Sequence, residues 1–186
     1  MFAAYSANFG KPDDPFQPNA TDLAKDLAVN VTSAYAAAKA ALTSFAELEA
    51  SGSKHNRLFV YTGNMQSSLI VPETVTLGIG KNAMAYAIET AANVYGKGSK
   101  GAKGFWYFAD ERFEEGDSMM AEIDGDSHAE HIWSLVDQTS QGPWNHTFVK
   151  GKGYVSFEST IPDRKVAGVP ELMAKAKEAV AKRGQA

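Results

Sequence analysis

At 186 residues, with 44% apolar and 22% charged side chains, the chain has the size and composition of one globular domain with a sizeable core. A net charge of −4 and a pI near 5.6 exclude the basic field that nucleic acid requires, and no run approaches the roughly 20 apolar residues of a membrane span. The absence of cysteine excludes disulfides and thiolate chemistry, and with no basic-then-apolar leader visible the expected location is cytoplasmic.

In chain order, residues 2–8 (FAAYSAN) are expected as a short strand and GKPDDPFQPN, with three prolines, as a loop. Thr21 is expected to cap a long helix whose apolar stripe runs Leu23, Leu27, Val31, Ala34, Ala38, Ala41, Phe45. Asn30 interrupts that stripe, and a buried amide needs partners. RLFVYT, 57–62, and FWYFA, 105–109, are continuously apolar and β-prone, as parallel strands covered on both faces are. Between them an alanine-rich helix is expected from about Gly80 to Tyr95, with Ala83, Ala87 and Ala91 as a small-residue ridge. GKGSKGAKG then reads as a basic turn; it fails the P-loop spacing because Ala102 stands where that motif needs lysine.

Ser127 and Glu130 form an S-x-x-E capping box for a further helix, and TFV and YVSF are short strand candidates. The alternation of strands and helices predicts an α/β fold with a parallel sheet in three layers. In such sheets ligands bind beyond the carboxyl ends of the strands, which gathers ANFG, TGN and ADER on one rim. The expected organisation is a domain over 1–157 and an extension over 158–186, with a peripheral helix or a frayed end carrying Glu171–Lys175 and Glu178–Lys182 pairs. His128 and His131 sit one turn apart without a third clustered ligand, so no metal site is expected. Trp133 and Trp144 are expected to pack rather than to stack on ligands.

DLAVNVTSAYAAAKAAL, YSANFG, RLFVYTGN, LGIGK and FWYFADER occur in the order of the corresponding segments of short-chain dehydrogenases/reductases, which residues 2–157 resemble. Together with QGPWNHTFVKGKGY they look like a fungal-type subgroup in which Thr-Gly-Asn and Leu-Gly-x-Gly-Lys replace the usual serine and Tyr-x-x-x-Lys. The resemblance implies a Rossmann-like fold, NAD or NADP as cofactor, and a carbonyl or alcohol substrate. It implies that Asn30 anchors a water relay, that Thr62 or Asn64 meets the substrate oxygen, that Lys81 holds the nicotinamide ribose, and that Ala7, Asn8 and Ala109 line the cofactor edge.

Two departures accompany it. Leu77, four residues before Lys81, stands at the place of the family's proton-donating tyrosine and has no proton to give. Tyr61 and Tyr86 are the nearest substitutes, both expected as ordinary packing residues, and YAAAK at 35–39 matches Tyr-x-x-x-Lys on the wrong helix. The Gly-x-x-x-Gly-x-Gly strand–turn–helix that opens the family does not occur in this sequence, so a chain shortened at its N-terminus is expected. Three readings stay open: an oxidoreductase of this family, a non-catalytic interaction or scaffold protein on the same fold, and an incomplete gene model. A homo-oligomer or poor solubility is expected, since an uncovered apolar sheet edge invites pairing, and the resemblance implies that the helices after Thr21 and Gly80 form the dimer faces.

Overall fold

A computed structural model of the chain describes residues 1–96, 104–157 and 168–184. Most of the basic turn GKGSKGAKG lies outside the described residues.

Four strands form one sheet in the order β1 (Leu58–Thr62), β2 (Phe105–Glu111), β3 (Asn145–Val149) and β4 (Gly153–Tyr154). β1, β2 and β3 are parallel, and β4 turns back antiparallel on β3. The apolar runs become strands because both faces are covered. Phe59, Tyr61, Trp106 and Phe108 point to a layer built by α2 (Ala34–Ala50) and α3 (Val75–Tyr95). Val60, Phe105, Tyr107, Ala109 and Phe148 point the other way, where Leu135 and Ile132 of α4 (Gly125–Val136) close the second core. The result is the expected three-layer α/β fold with a mostly parallel sheet.

The first segment differs from expectation. Of residues 2–8 only Phe2 pairs with the sheet, through a single parallel bridge to Tyr61. Beyond it the backbone is drawn away by helix side chains: Ser6 N–H donates to Asn30 Oδ1 at 2.8 Å and Asn8 N–H to Asp26 Oδ2 at 2.7 Å. Main-chain groups satisfied by side chains are not free for a strand ladder.

The long helix is also not uniform. Asn19, rather than Thr21, caps α1 (Ala20–Leu27), with Asp22 completing a capping box. A π-helical turn, Ala28–Ser33, then inserts before α2. The wider turn resets the stripe, so that Asp26, Asn30, Ala34 and Phe45 are the buried positions, while Leu23, Leu27 and Val31 are half-buried.

α3 starts at Val75, five residues before the expected position, fed by a 3-10 turn at Pro72–Thr74. Gly78 and Gly80 do not break it. A Cβ on Gly80 would lie 2.8 Å from Asn30 Cβ, so glycine is what lets α3 close on the π turn. Leu77 and Lys81 therefore share one helix face, and both are buried along with Met84, Ile88 and Ala92. The Ala83/Ala87/Ala91 ridge lies to the side: Ala83 is exposed, and Ala87 and Ala91 pack partly against the first core.

Asp124, rather than Ser127, caps α4; its carboxylate accepts from the N–H groups of Asp126 and Ser127. The tail helix α5 (Val169–Arg183) lies across the carboxyl-end rim. Leu172 packs with Met65, Leu69 and Val71, and Ala176 and Ala179 pack with Phe113 and Met119. Both oxygens of the buried Glu73 carboxylate accept from Val169 N–H at 3.1 Å, a cap supplied from 96 residues away. The Glu171–Lys175 and Glu178–Lys182 pairs both form, each at 3.2 Å. Trp144 packs edge-on to Phe108, whereas Trp133 is 73% exposed and so is not a core residue. No described helix is long and apolar enough to cross a membrane.

Candidate functional site

Three segments meet around the fully buried ring of Tyr61. From the π turn, the Asn30 carbonyl accepts the Tyr61 hydroxyl at 3.1 Å. From α3, Lys81 Nζ lies 4.8 Å from the Tyr61 ring centroid and donates to the Thr62 carbonyl at 2.7 Å. Gly80, next to Lys81, rests on the Asn30 side chain. The residues at 30, 62 and 81 are thus brought together by three elements far apart in sequence.

Their polar atoms point in different directions. Asn30 has its amide clamped to the Ser6 main chain, with Nδ2 donating to the Ser6 carbonyl at 2.7 Å. The Thr62 hydroxyl donates to the Phe2 carbonyl at 3.3 Å. Asn64 uses its Oδ1 to cap the short turn Met65–Ser67, accepting from Gln66 N–H at 3.0 Å. Asn8 is tied to Asp26 through both its backbone N–H and its Nδ2, and Ala7 beside it is half-buried. Ala109 is fully buried within β2, its carbonyl accepting from Gly63 N–H at 2.6 Å.

The electrostatics centre on Lys81, which is 4% exposed. Burial lowers its ammonium from the ordinary lysine range to about 8, opposed by the charge of Asp110 on the same face. Asp110 in turn is held by Arg112: Nε donates to Asp110 Oδ2 at 2.6 Å and Nη2 approaches it at 2.5 Å. Arg112 Nη1 also donates to the Gly116 carbonyl at 2.9 Å, so the guanidinium is satisfied although it is almost wholly buried. Tyr61 is pushed up to about 12 by burial, and its hydroxyl faces the Asn30 carbonyl, which takes it out of reach of any incoming group. Tyr86 is 76% exposed on the outer side of α3. Leu77 is buried, and Tyr35 of the YAAAK stretch is exposed.

Several site residues were not singled out from the sequence. Asp26 is fully buried and binds the Ser6 hydroxyl at 2.6 Å together with Asn8. Its one sequence signal is its place four residues before Asn30, on the same helix face. Asp110 near the end of β2 and Arg112 just beyond it are two residues apart in extended chain, a spacing that puts both on one face. His131, read from the sequence only as one of two histidines a turn apart, is buried against Phe148. Among the described residues no group of three or more His, Cys, Asp or Glu could hold a metal ion.

The chain is similar to a curated protein named Short chain dehydrogenase/reductase dmxR12, from Cryptosporiopsis sp. (strain 8999). The two are 42% identical over 154 residues, which are 83% of this chain and 60% of the relative, so the chain spans well under the relative's full length. No family model matches the chain.

Proposed function

Kinship with the short-chain dehydrogenases/reductases, supported by 42% identity over 154 residues, is the premise from which we propose that this chain forms the nicotinamide-facing part of an NAD(P)-dependent oxidoreductase scaffold. The observation that carries the reading is Lys81: a buried amine at the carboxyl-end rim whose bond to the Thr62 carbonyl uses one of its three N–H donors. The remaining donors suit ribose hydroxyls. A bound nicotinamide would supply or accept hydride there. Asn30 then acts by fixing the Ser6–Asn8 segment at the cofactor edge, and Asn64 keeps its Nδ2 for the oxygen of a carbonyl or alcohol substrate. The proton donor is what these residues lack. Leu77 has none, and the Tyr61 hydroxyl is committed to the Asn30 carbonyl.

A non-catalytic scaffold on the same fold is the second reading. It is favoured by the Thr62 hydroxyl and the Asn30 amide, both bonded to the main chain of residues 2–6. Titrating NADH and NADPH into the whole chain, followed by nicotinamide fluorescence, separates the two. The first reading expects saturable binding that Lys81→Met weakens roughly tenfold or more, about 1.4 kcal/mol. Absence of binding at millimolar cofactor in a chain with intact near-UV circular dichroism overturns it in favour of the scaffold.

We also infer self-association through the helices after Thr21 and Gly80. Tyr35, Tyr86 and Val94 are 64%, 76% and 64% exposed on their outer surfaces. Sedimentation velocity is expected to give a species of at least twice the 20.0 kDa chain mass; a persistent monomer overturns the inference.

A further inference from the structure

On the face of the sheet away from Lys81, three of the four histidines of the chain form one chain of ring contacts with Phe148. His131 of α4 stacks flat on Phe148 of β3, with centroids 4.0 Å apart and planes within 5°. His128, one turn earlier, meets the same ring edge-on at 5.0 Å. His146 of β3 lies 5.1 Å from His131 and packs between Tyr107 and Tyr154, at 5.0 and 4.8 Å. These rings form much of the seam that holds the first half of α4 to the sheet; the second half is held by the apolar Leu135 and Ile132.

The three imidazoles are not equivalent. His128 is paired: its Nδ1 lies 3.2 Å from Glu111 Oε2 and 2.9 Å from the Asp124 carbonyl, and these contacts raise its pKa against the effect of burial. His146 Nδ1 faces the Pro143 carbonyl at 3.2 Å, yet burial still lowers it. His131 Nε2 is buried without a partner. Burial lowers His131 to about 4, and the nearby His146 and His128 add to this, with Glu111 opposing. A hollow of about 180 Å³, lined by Ser127, Glu130, His131, Phe148, Lys150 and Gly151 among others, opens beside the stack.

We propose that this seam is an acid-released latch: uncharged His131 and His146 clamp α4 to β3, and proton uptake by the pair drives the front half of the helix off the sheet. Two cations about 5 Å apart beside a third, His128, repel in a site with little solvent to screen them. The groups that face the pair set the balance. On α4 these are His128 and Glu130; on β2, Tyr107 and Glu111; at β4, Tyr154. Lys150, at the end of β3, is tied to the cap residue Asp124. Glu111 is already engaged by His128 through Oε2, so it is not free to neutralise the pair. The folded value of His131 lies below the ordinary histidine value of 6.5, so the latch is closed above that pH. It opens progressively as pH falls toward about 4.

Hydrogen exchange of the whole chain, corrected for intrinsic rates, tests the latch at pH 7 and pH 5. The amides of Ser127–His131 are expected to lose at least tenfold protection while those of α3 keep theirs. His131→Phe, which preserves the stack and cannot take up a proton, is expected to abolish that loss. Equal loss in α3, or no loss in α4, overturns the proposal, as does a His131→Phe chain that still releases α4. If that variant does not fold, the imidazole C2–H resonances of the unaltered chain decide. Midpoints for His131 and His146 below 6.5 agree with the latch, and midpoints at or above it overturn it.

Discussion

Replacing Arg112 with alanine is expected to cost about 3–5 kcal/mol of folding stability, on the order of 10 °C in Tm for a chain of this size. The reason is what remains behind. Asp110 and Arg112 are each 5% exposed or less at the side chain and bond through two nitrogens to one oxygen. Without the guanidinium, a carboxylate stays in the interior facing Lys81, and the Gly116 carbonyl loses its donor as well. Exchanging both partners for apolar residues, Asp110→Leu with Arg112→Met, is expected to cost less, because neither half of the ion pair is then left behind and Lys81, deprived of the Asp110 charge, can shed its proton. Urea midpoints of the single and double variants give the answer. A single variant within about 1 kcal/mol of the parent contradicts the burial argument.

The second large effect is expected at Asp26. Asp26→Ala removes the acceptor of three donors, the Ser6 hydroxyl and the Asn8 backbone and side-chain N–H groups, and is expected to cost about 3–4 kcal/mol at neutral pH. The same site predicts an acid response. Burial by itself raises the Asp26 carboxyl, but hydrogen bonds from Ser6, Thr76 and Asn8 outweigh it and hold the group below its ordinary value. A carboxyl depressed by folding stabilises fully above its unfolded pKa, about 4, and loses that contribution as pH falls through the lower folded value. Unfolding midpoints measured from pH 5 down to pH 2 should therefore fall more steeply for the parent chain than for Asp26→Ala. Parallel curves would show that the carboxylate is not the group that titrates. The histidine seam acts at higher pH, between 6.5 and about 4, so the two responses are separable.

The site and the latch occupy opposite faces of one sheet, and alternation along β2 explains how. Asp110 points to the Lys81 face and Glu111 to the His128 face. A single residue step thus divides the charges between the Lys81 face, where cofactor binding is proposed, and the histidine seam.

The sequence by itself determined the α/β class, the β1 and β2 runs, the paired charges of α5 and the interruption at Asn30. Each of these is written in neighbouring residues: an unbroken apolar run calls for cover on both faces, and a four-residue spacing places two charges side by side. Only the tertiary structure decided where the buried polar groups find partners. Asn30 reaches back 24 residues to Ser6, Glu73 reaches forward 96 to Val169, and Lys81 reaches back 19 to Thr62 at the end of β1. Those distant partners also explain the misplaced boundaries. Residues 3–8 leave the sheet because Asp26 and Asn30 satisfy their backbone, α3 tolerates Gly80 because the π turn closes on it, and His131 is buried because Phe148 lies beneath it. A pattern of neighbours records which residues must be buried; the partner a buried polar atom finds depends on which distant segments the fold brings beside it.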